Sequence, residues 1–210
     1  MRISSQTTIQ LLQRGEAVAI PTDTVYGIAA LYWNECGIKK IFTLKNRKRS
    51  KPLIVFIASL IDVYHFTSFV PEIGWKLIHR YWPGALTLIL PAKEQTTHAL
   101  IRGSQPFIGI RIPRHPTILH ILHSVGPLVA TSINQSGQPP LQTIQEIENV
   151  FGAAMPILED PILPMGKESS IVSYMHQEWQ IMREGAISKE ELLATIRQEN
   201  SFRSDYSFDK

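Results

Sequence analysis

The fold class predicted by the sequence is α/β (α+β mixed), a mixed sheet flanked by helices. Two observations predict it. Apolar runs of strand length alternate with segments of helical periodicity, and clusters of Gly, Pro, Asn and Ser mark each change of period. The first helix is expected over Thr8–Arg14, closed by Gly15, and leads into a strand at Ala17–Ile20. Asn34 is a good N-cap, so a second helix is expected from there to about Thr43. Further strands are expected at Leu53–Ile57, Leu86–Leu90, Phe107–Ile112, Leu128–Thr131, Ser170–Tyr174 and Trp179–Arg183. Helices are expected at Pro71–Tyr81, Pro116–Ser124, Thr143–Phe151 and Ser188–Gln198, the last with the capping-box pair Ser188 and Glu191. No repeat, low-complexity segment or linker breaks the chain, which is expected to form one domain over residues 1–198 with a polar, aperiodic tail at 199–210.

A chain of 210 residues can bury a substantial core as one domain, and 44% hydrophobic with 19% charged residues is an ordinary globular balance. The net charge of +3 suits anionic ligands but does not by itself indicate nucleic acid. Basic residues gather at Lys45, Arg47, Lys48, Arg49 and Lys51, so the local field there exceeds the average. The single cysteine, Cys36, rules out an internal disulfide and a cysteine-rich zinc site and reads as a small buried apolar residue. The N-terminal segment lacks the apolar core of a signal peptide. Runs such as LTLIL and IVFIASLI fall far short of the roughly 20 residues a bilayer span needs. A reducing, cytoplasmic setting away from membranes is the expectation.

Seven polar or Gly/Pro-rich motifs sit at the ends of predicted strands: PTDTVYG (21–27), KNRKRSK (45–51), WPGALT (82–87), GIRIPRHP (109–116), TSINQSG (131–137), GKESS (166–170) and REGAIS (183–188). Ligands gather outside strand ends in α/β sheets, where loops offer backbone amides and short hydroxyls. Any one motif alone would pass as a capped turn; seven exceed what folding requires. Lys45, Arg47, Lys51, Arg111 and Arg183 stand among these hydroxyl clusters and are candidates to hold phosphate or carboxylate. Arg111 and Arg183 lie within or at the end of apolar strands, where an unpaired guanidinium is costly, so an anion should meet each of them.

Other chemistries lack their patterns. There is no GxxxxGK[ST] and no GxGxxG. Ser132 and Ser136 lack a GxSxG elbow. His115, His120 and His123 lie close in sequence, but no further metal ligands are placed by spacing, so they read as surface or capping residues.

Taken in order, the motifs resemble the YrdC-like family, the threonylcarbamoyl-AMP synthases, from about Gln10 to Ile187. The family's Lys-x-Arg and Ser-x-Asn pairs are present as Lys45-Asn46-Arg47 and Ser132-Ile133-Asn134, and PTDTVYG, WPGALT, IRIPRHP, SINQSGQP, GKESS and REGAIS agree with it. The resemblance implies an open, twisted mixed sheet with a positively charged concave face holding ATP and threonine. It implies an activity that joins L-threonine, bicarbonate and ATP into threonylcarbamoyl-adenylate and pyrophosphate, for a tRNA modification completed by downstream threonylcarbamoyl-transferase proteins. Carried over by motif position, Thr24, Arg111, Ser169 and the backbone at Ala130 would hold threonine. Arg47, Lys51, Ser132, Asn134 and Arg183 would hold ATP, with backbone near Phe107 and Pro140, and Lys45 completes the catalytic set of Lys45, Arg47, Ser132 and Asn134. Magnesium is expected to accompany ATP, with no metal ligated tightly by the protein.

The sequence departs from the family at Phe56, where a histidine is common, so one polar contact to threonine is expected to be missing. Asn46-Arg47-Lys48 replaces Gly-Arg-Pro, Ser169-Ser170 replaces Ser-Thr, and Ala85 replaces a proline. The chain ends soon after REGAIS, which reads as the short, single-domain form. Two other readings stay open at this point: a module that binds RNA through its basic face, and a paralogue with a different small-molecule substrate in the same pocket.

Overall fold

Among the residues the computed structural model describes (1–93, 97–152 and 154–197), ten strands form one mixed sheet. In chain order they are β1 (Arg2–Ile3), β2 (Val18–Ile20), β3 (Gly27–Leu31), β4 (Ile54–Phe56), β5 (Leu86–Pro91), β6 (Phe107–Arg111), β7 (Leu128–Ser132), β8 (Ile157–Leu158), β9 (Ser170–Met175) and β10 (Glu178–Arg183). Their spatial order is β1-β8-β2-β3-β7-β4-β6-β5-β9-β10. The pairs β1–β8, β8–β2, β4–β6 and β5–β9 are parallel and the others antiparallel.

The helices are α1 (Ser5–Gln13), α2 (Glu35–Leu44), α3 (Val63–Phe66), α4 (Glu72–Tyr81), α5 (Ala99–Arg102), α6 (Pro116–Val125), α7 (Ile144–Phe151) and α8 (Lys189–Arg197). Their ends follow cap chemistry. Ser4, Asn34 and Thr143 each accept a backbone N–H at the start of α1, α2 and α7. Pro116 occupies the first turn of α6. The expected Ser188–Glu191 box forms, with Glu191 N donating to Ser188 Oγ at 3.2 Å. The expected tail at 199–210 and the last residue of the expected terminal helix lie outside the described residues. Among the described residues no helix is long and apolar enough to cross a membrane.

Side chains alternate between the two faces of each strand, so the register assigns each face. Val18, Ile20, Ala29, Leu128, Ala130 and Phe56 share one face, which α1 and α6 cover with Ile9, Leu12, Ile118, Ile121 and Leu122. Val55, Leu86, Leu88, Ile108, Ile110 and Val172 point the other way, into the larger core with Ile38, Ile41, Leu77, Ile78, Ile147 and Leu192 from the remaining helices. The first face continues across β4, β6, β5 and β9 as Ile54, Gly109, Ile89 and Ile171, and there, among the described residues, no helix residue lines it. That open half of the face is the floor of the main cleft.

Four expectations need correction. α1 begins three residues early, because Ser4 caps it. β3 has no counterpart in the sequence reading, although it is central and paired on both sides. Cys36 is exposed, because α2 buries Gly37, Ile38, Ile41 and Phe42 instead. His115 is fully buried, with Nε2 3.3 Å from the Ile162 carbonyl, while His120 and His123 are exposed as expected.

Candidate active site

Arg111 ends β6 on the cleft face, and its fork is held on three sides. Nε donates to the Gly84 carbonyl at 2.9 Å, Nη1 to Thr24 Oγ1 at 2.9 Å and Nη2 to Asp23 Oδ1 at 2.6 Å. The residue is 3% exposed. Burial lowers its proton affinity and the Asp23 carboxylate restores part of it; an arginine stays charged through such shifts. The Phe56 ring, where a histidine was the family expectation, lies with its centroid 5.7 Å from Arg111 Cζ and offers its π face to the cation.

The loop after β2 fixes Thr24. Thr22 Oγ1 donates to the Val25 carbonyl at 2.7 Å and accepts from Thr24 N at 3.1 Å. Its single proton is thereby committed, so in the 3.0 Å contact between the two hydroxyls Thr24 donates. Thr24 Oγ1 in turn accepts from Arg111.

Facing it, the segment before β9 brings Ser169 within 2.9 Å of Thr87 Oγ1. Arg183, at the end of β10, donates from Nε to the Ser169 carbonyl at 3.0 Å and from Nη1 to Glu168 Oε1 at 2.6 Å. The REGAIS turn is stapled by Ser170, whose Oγ donates to the Ile187 carbonyl at 2.6 Å and accepts from Gly185 N at 2.9 Å. A Cβ on Gly185 would stand 2.3 Å from the Glu168 carbonyl oxygen, so only glycine lets the two segments approach. Gly166 N donates to the Thr24 carbonyl at 2.8 Å, which ties this segment to the opposite corner.

On the third side, α2 ends at Lys45, and Asn46 adopts a positive φ of 48° that turns Arg47 toward the cleft. Arg47 Nη2 donates to the Pro52 carbonyl at 2.7 Å and Nε to the Lys51 carbonyl at 3.3 Å. Lys45 is 1% exposed and donates to the Asn134 carbonyl and to Asn134 Oδ1, both at 2.7 Å, and to the Ser132 carbonyl. Ser132 Oγ donates to the same Asn134 Oδ1 at 2.9 Å. Burial, with Arg47 and Lys51 adding repulsion, brings the Lys45 ammonium down to about 7, while Glu168 works the other way.

One cleft of about 620 Å³ therefore gathers Thr24, Arg47, Lys51, Phe107, Arg111, Ala130, Ser132, Ser169 and Arg183, nine of the residues singled out in the sequence. Asn134 sits just behind its wall, 8% exposed and joined to Ser132. Lys45 lies deeper still with its three donors committed, so it braces the wall and does not itself reach the cleft. Pro140 is not on the cleft. Sequence reasoning missed Thr22, Asp23, Thr87 and Glu168. Asp23 and Glu168 are the anions that the two strand-end arginines called for, and the signal was the acid standing inside each motif. Among the described residues no three His, Cys, Asp or Glu side chains group to hold a metal ion.

Comparison with known proteins identifies the family. The Sua5/YciO/YrdC family model, described as "Telomere recombination", matches residues 10–185. A threonylcarbamoyl-AMP synthase of Bacillus subtilis (strain 168) is 36% identical over 188 residues, which is 89% of this chain and 54% of that relative. The crystal structure of Pyrococcus abyssi Sua5 complexed with L-threonine superposes with a TM-score of 0.86 at 29% identity, over 93% of this chain and 59% of that one. E. coli YciO shares the fold at a TM-score of 0.79 and 16% identity, over 91% of this chain and 97% of that one. The chain thus spans about half the length of the curated Bacillus relative it matches. With four-fifths of its length matched by one family model and its motifs folded into one cleft, the chain belongs to the Sua5/YciO/YrdC family.

Proposed function

We propose that this chain joins L-threonine, bicarbonate and ATP into L-threonylcarbamoyladenylate and pyrophosphate, a nucleotidyl transfer that supplies tRNA threonylcarbamoyladenosine modification. The observation that carries this reading is the division of one cleft into two chemistries. At one end a buried guanidinium fork stands beside the hydroxyls of Thr24 and Ser169, a match for the carboxylate and polar groups of a small amino acid. Toward the other lie Arg47, Lys51 and Ser132, a match for phosphates, and Arg183, bonded to Ser169, stands beside the first end and adds its charge there. A Bacillus relative named threonylcarbamoyl-AMP synthase and an archaeal structure that holds L-threonine support the same assignment.

In this reading Arg111 takes the α-carboxylate, Thr24, Ser169 and the Ala130 backbone orient the rest of threonine, and the amine is left to add to the carbon of bicarbonate. Water leaves and a carbamate forms. A carbamate oxygen then attacks the α-phosphorus, the bond from that phosphorus to the α,β-bridging oxygen breaks, and pyrophosphate departs. No side-chain nucleophile is needed. The protein's contribution is positioning and charge stabilisation. Arg47, Lys51 and Arg183 would balance the phosphate charge, with Ser132 and Asn134 shaping the wall and the backbone at Phe107 bordering the nucleotide. Lys45 would act through Asn134 and the Ser132 carbonyl. Asp23 and Glu168 are each engaged by an arginine, which suits a magnesium ion carried on the phosphate oxygens over one held by side chains. Threonylcarbamoyl-transferase proteins acting on tRNA would consume the product.

The test is incubation of the pure protein with ATP, magnesium, bicarbonate and labelled threonine. Label in an adenylate, with pyrophosphate released in equal amount, is the expected result. ATP turnover that ignores threonine would overturn the reading.

A further inference from the structure

Arg111 and Arg183 stand close enough to oppose each other's charge, and each is met by one carboxylate. The two pairs are built differently. The Arg183 and Glu168 side chains are each 33% exposed, and Glu168 lines the cleft. The Arg111 and Asp23 side chains are 4% and 11% exposed, and Asp23 is absent from the lining. Its carboxylate is therefore buried against the guanidinium and forms no part of the cleft wall.

A guanidinium carries five N–H donors in one plane. Three of Arg111's are committed, to Gly84, Thr24 and Asp23, which fixes that plane and leaves one N–H on each Nη. Asp23 also settles the charge. With its carboxylate in place the Arg111 corner is close to neutral before anything binds, which favours a ligand of no net charge, such as an amino-acid zwitterion, over a phosphate. Without it, Arg111 and Arg183 would merge into one cationic surface able to draw a polyphosphate into the wrong end.

We propose that Asp23 is a positioning and selectivity residue for the amino-acid end of the cleft. It holds Arg111 Nη2, keeps the two remaining N–H groups aimed at an α-carboxylate, and reserves that end for a zwitterion. The choice of ligand rests on the function proposed above; the hold on Arg111 does not.

The test compares Asp23→Asn and Asp23→Glu with the unaltered full chain by calorimetry, using L-threonine and magnesium-free tripolyphosphate as separate probes. Asp23→Asn should weaken threonine about 10-fold or more, the cost of leaving a buried charge without its partner. It should leave tripolyphosphate binding unchanged or tighten it, and should make tripolyphosphate compete with threonine. Asp23→Glu should recover part of the threonine affinity. Guanidinium proton–nitrogen NMR provides a readout free of any ligand: Arg111 Nη2 should rotate slowly in the unaltered chain and freely in Asp23→Asn. If the unaltered chain binds no threonine, the proposed function fails and the NMR comparison alone decides the positioning. Threonine affinity unchanged in folded Asp23→Asn, equal weakening of both probes, or an Nη2 signal indifferent to the substitution would each overturn the inference. Should Asp23→Asn not fold, Asp23→Glu decides, since an arm one methylene longer must displace the fork and weaken threonine selectively.

Discussion

Lys45 Nζ and Asn134 Oδ1 lie 2.7 Å apart across 89 residues of sequence, joining the end of α2 to the loop after β7. The same ammonium serves two backbone carbonyls, so this one side chain fixes the wall that carries Ser132. Replacing it by methionine takes a donor from three acceptors in a buried place, of which Asn134 Oδ1 keeps Ser132 Oγ. We expect Lys45→Met to lose about 2–4 kcal/mol of stability, read by urea unfolding, and to lose pyrophosphate formation with it. Arg47→Ala removes a half-buried side chain that donates to the Lys51 and Pro52 backbone carbonyls. It should cost about 1 kcal/mol or less while pyrophosphate formation falls at least ~100-fold. Unchanged turnover in either variant would count against the proposed function.

The pH dependence of Lys45 follows from its burial. Its folded value is lowered to about 7 from an ordinary value of 10.5. Between those values the unfolded chain binds more protons than the folded one, so stability rises with pH across that window and levels off below it. The three acceptor oxygens favour the ammonium and moderate the effect. Urea unfolding at pH 7 and pH 9.5 should show the unaltered chain gaining stability relative to Lys45→Met; a parallel pair of curves would refute this.

Glu168 puts a negative charge inside a cleft proposed to receive phosphates, and it occupies Arg183. Glu168→Gln should tighten tripolyphosphate binding roughly 3–10-fold at low salt, with the gain shrinking as salt screens it. Because the pair is a third exposed, stability should change by less than ~1 kcal/mol. Calorimetry at two salt concentrations measures both the direction and the screening.

Two glycines should answer alanine differently. At Gly185 a Cβ would press within 2.3 Å of the Glu168 carbonyl oxygen, and that contact is backbone on backbone. Gly185→Ala should cost about 2–4 kcal/mol and disorder the Ser169–Arg183 contacts. Gly137 also has a positive φ, 94°, but nothing lies within 4 Å of its Cβ position. Its substitution should cost only about 1 kcal/mol, and thermal unfolding of the two variants separates the cases.

Most of the sheet could be read from apolar runs because those strands are rich in Val, Ile and Leu. β3 escaped notice for a physical reason. Its sequence, GIAAL, has weak strand propensity, and small side chains are required there because α2 packs hard against it. A Cβ on Gly37 of α2 would stand 3.0 Å from the Ala30 Cβ. β1 and β8 are two residues each, below any periodic signal. In the candidate site, residues inside motifs were legible because hydroxyls and cations at strand ends have few other uses. Pairing was not. The partner of Arg111 lies 88 residues away, and only the folded sheet brings Asp23 to it. Lys45 was legible as a member of the set but not in its place, since a lysine in a basic run gives no sign that its neighbours face solvent while it turns inward.

The cleft draws its lining from the loop after β2 through to β10, and Gly166 N closes on the Thr24 carbonyl across most of the chain. A growing polypeptide can therefore build much of the sheet and still lack one side of the cleft, because Arg183 and the segment that seats it come last among the lining residues. Completion of the fold is thus a condition for the assembled cleft, since a chain stopped before β10 would hold Arg111 and Ser132 without Arg183.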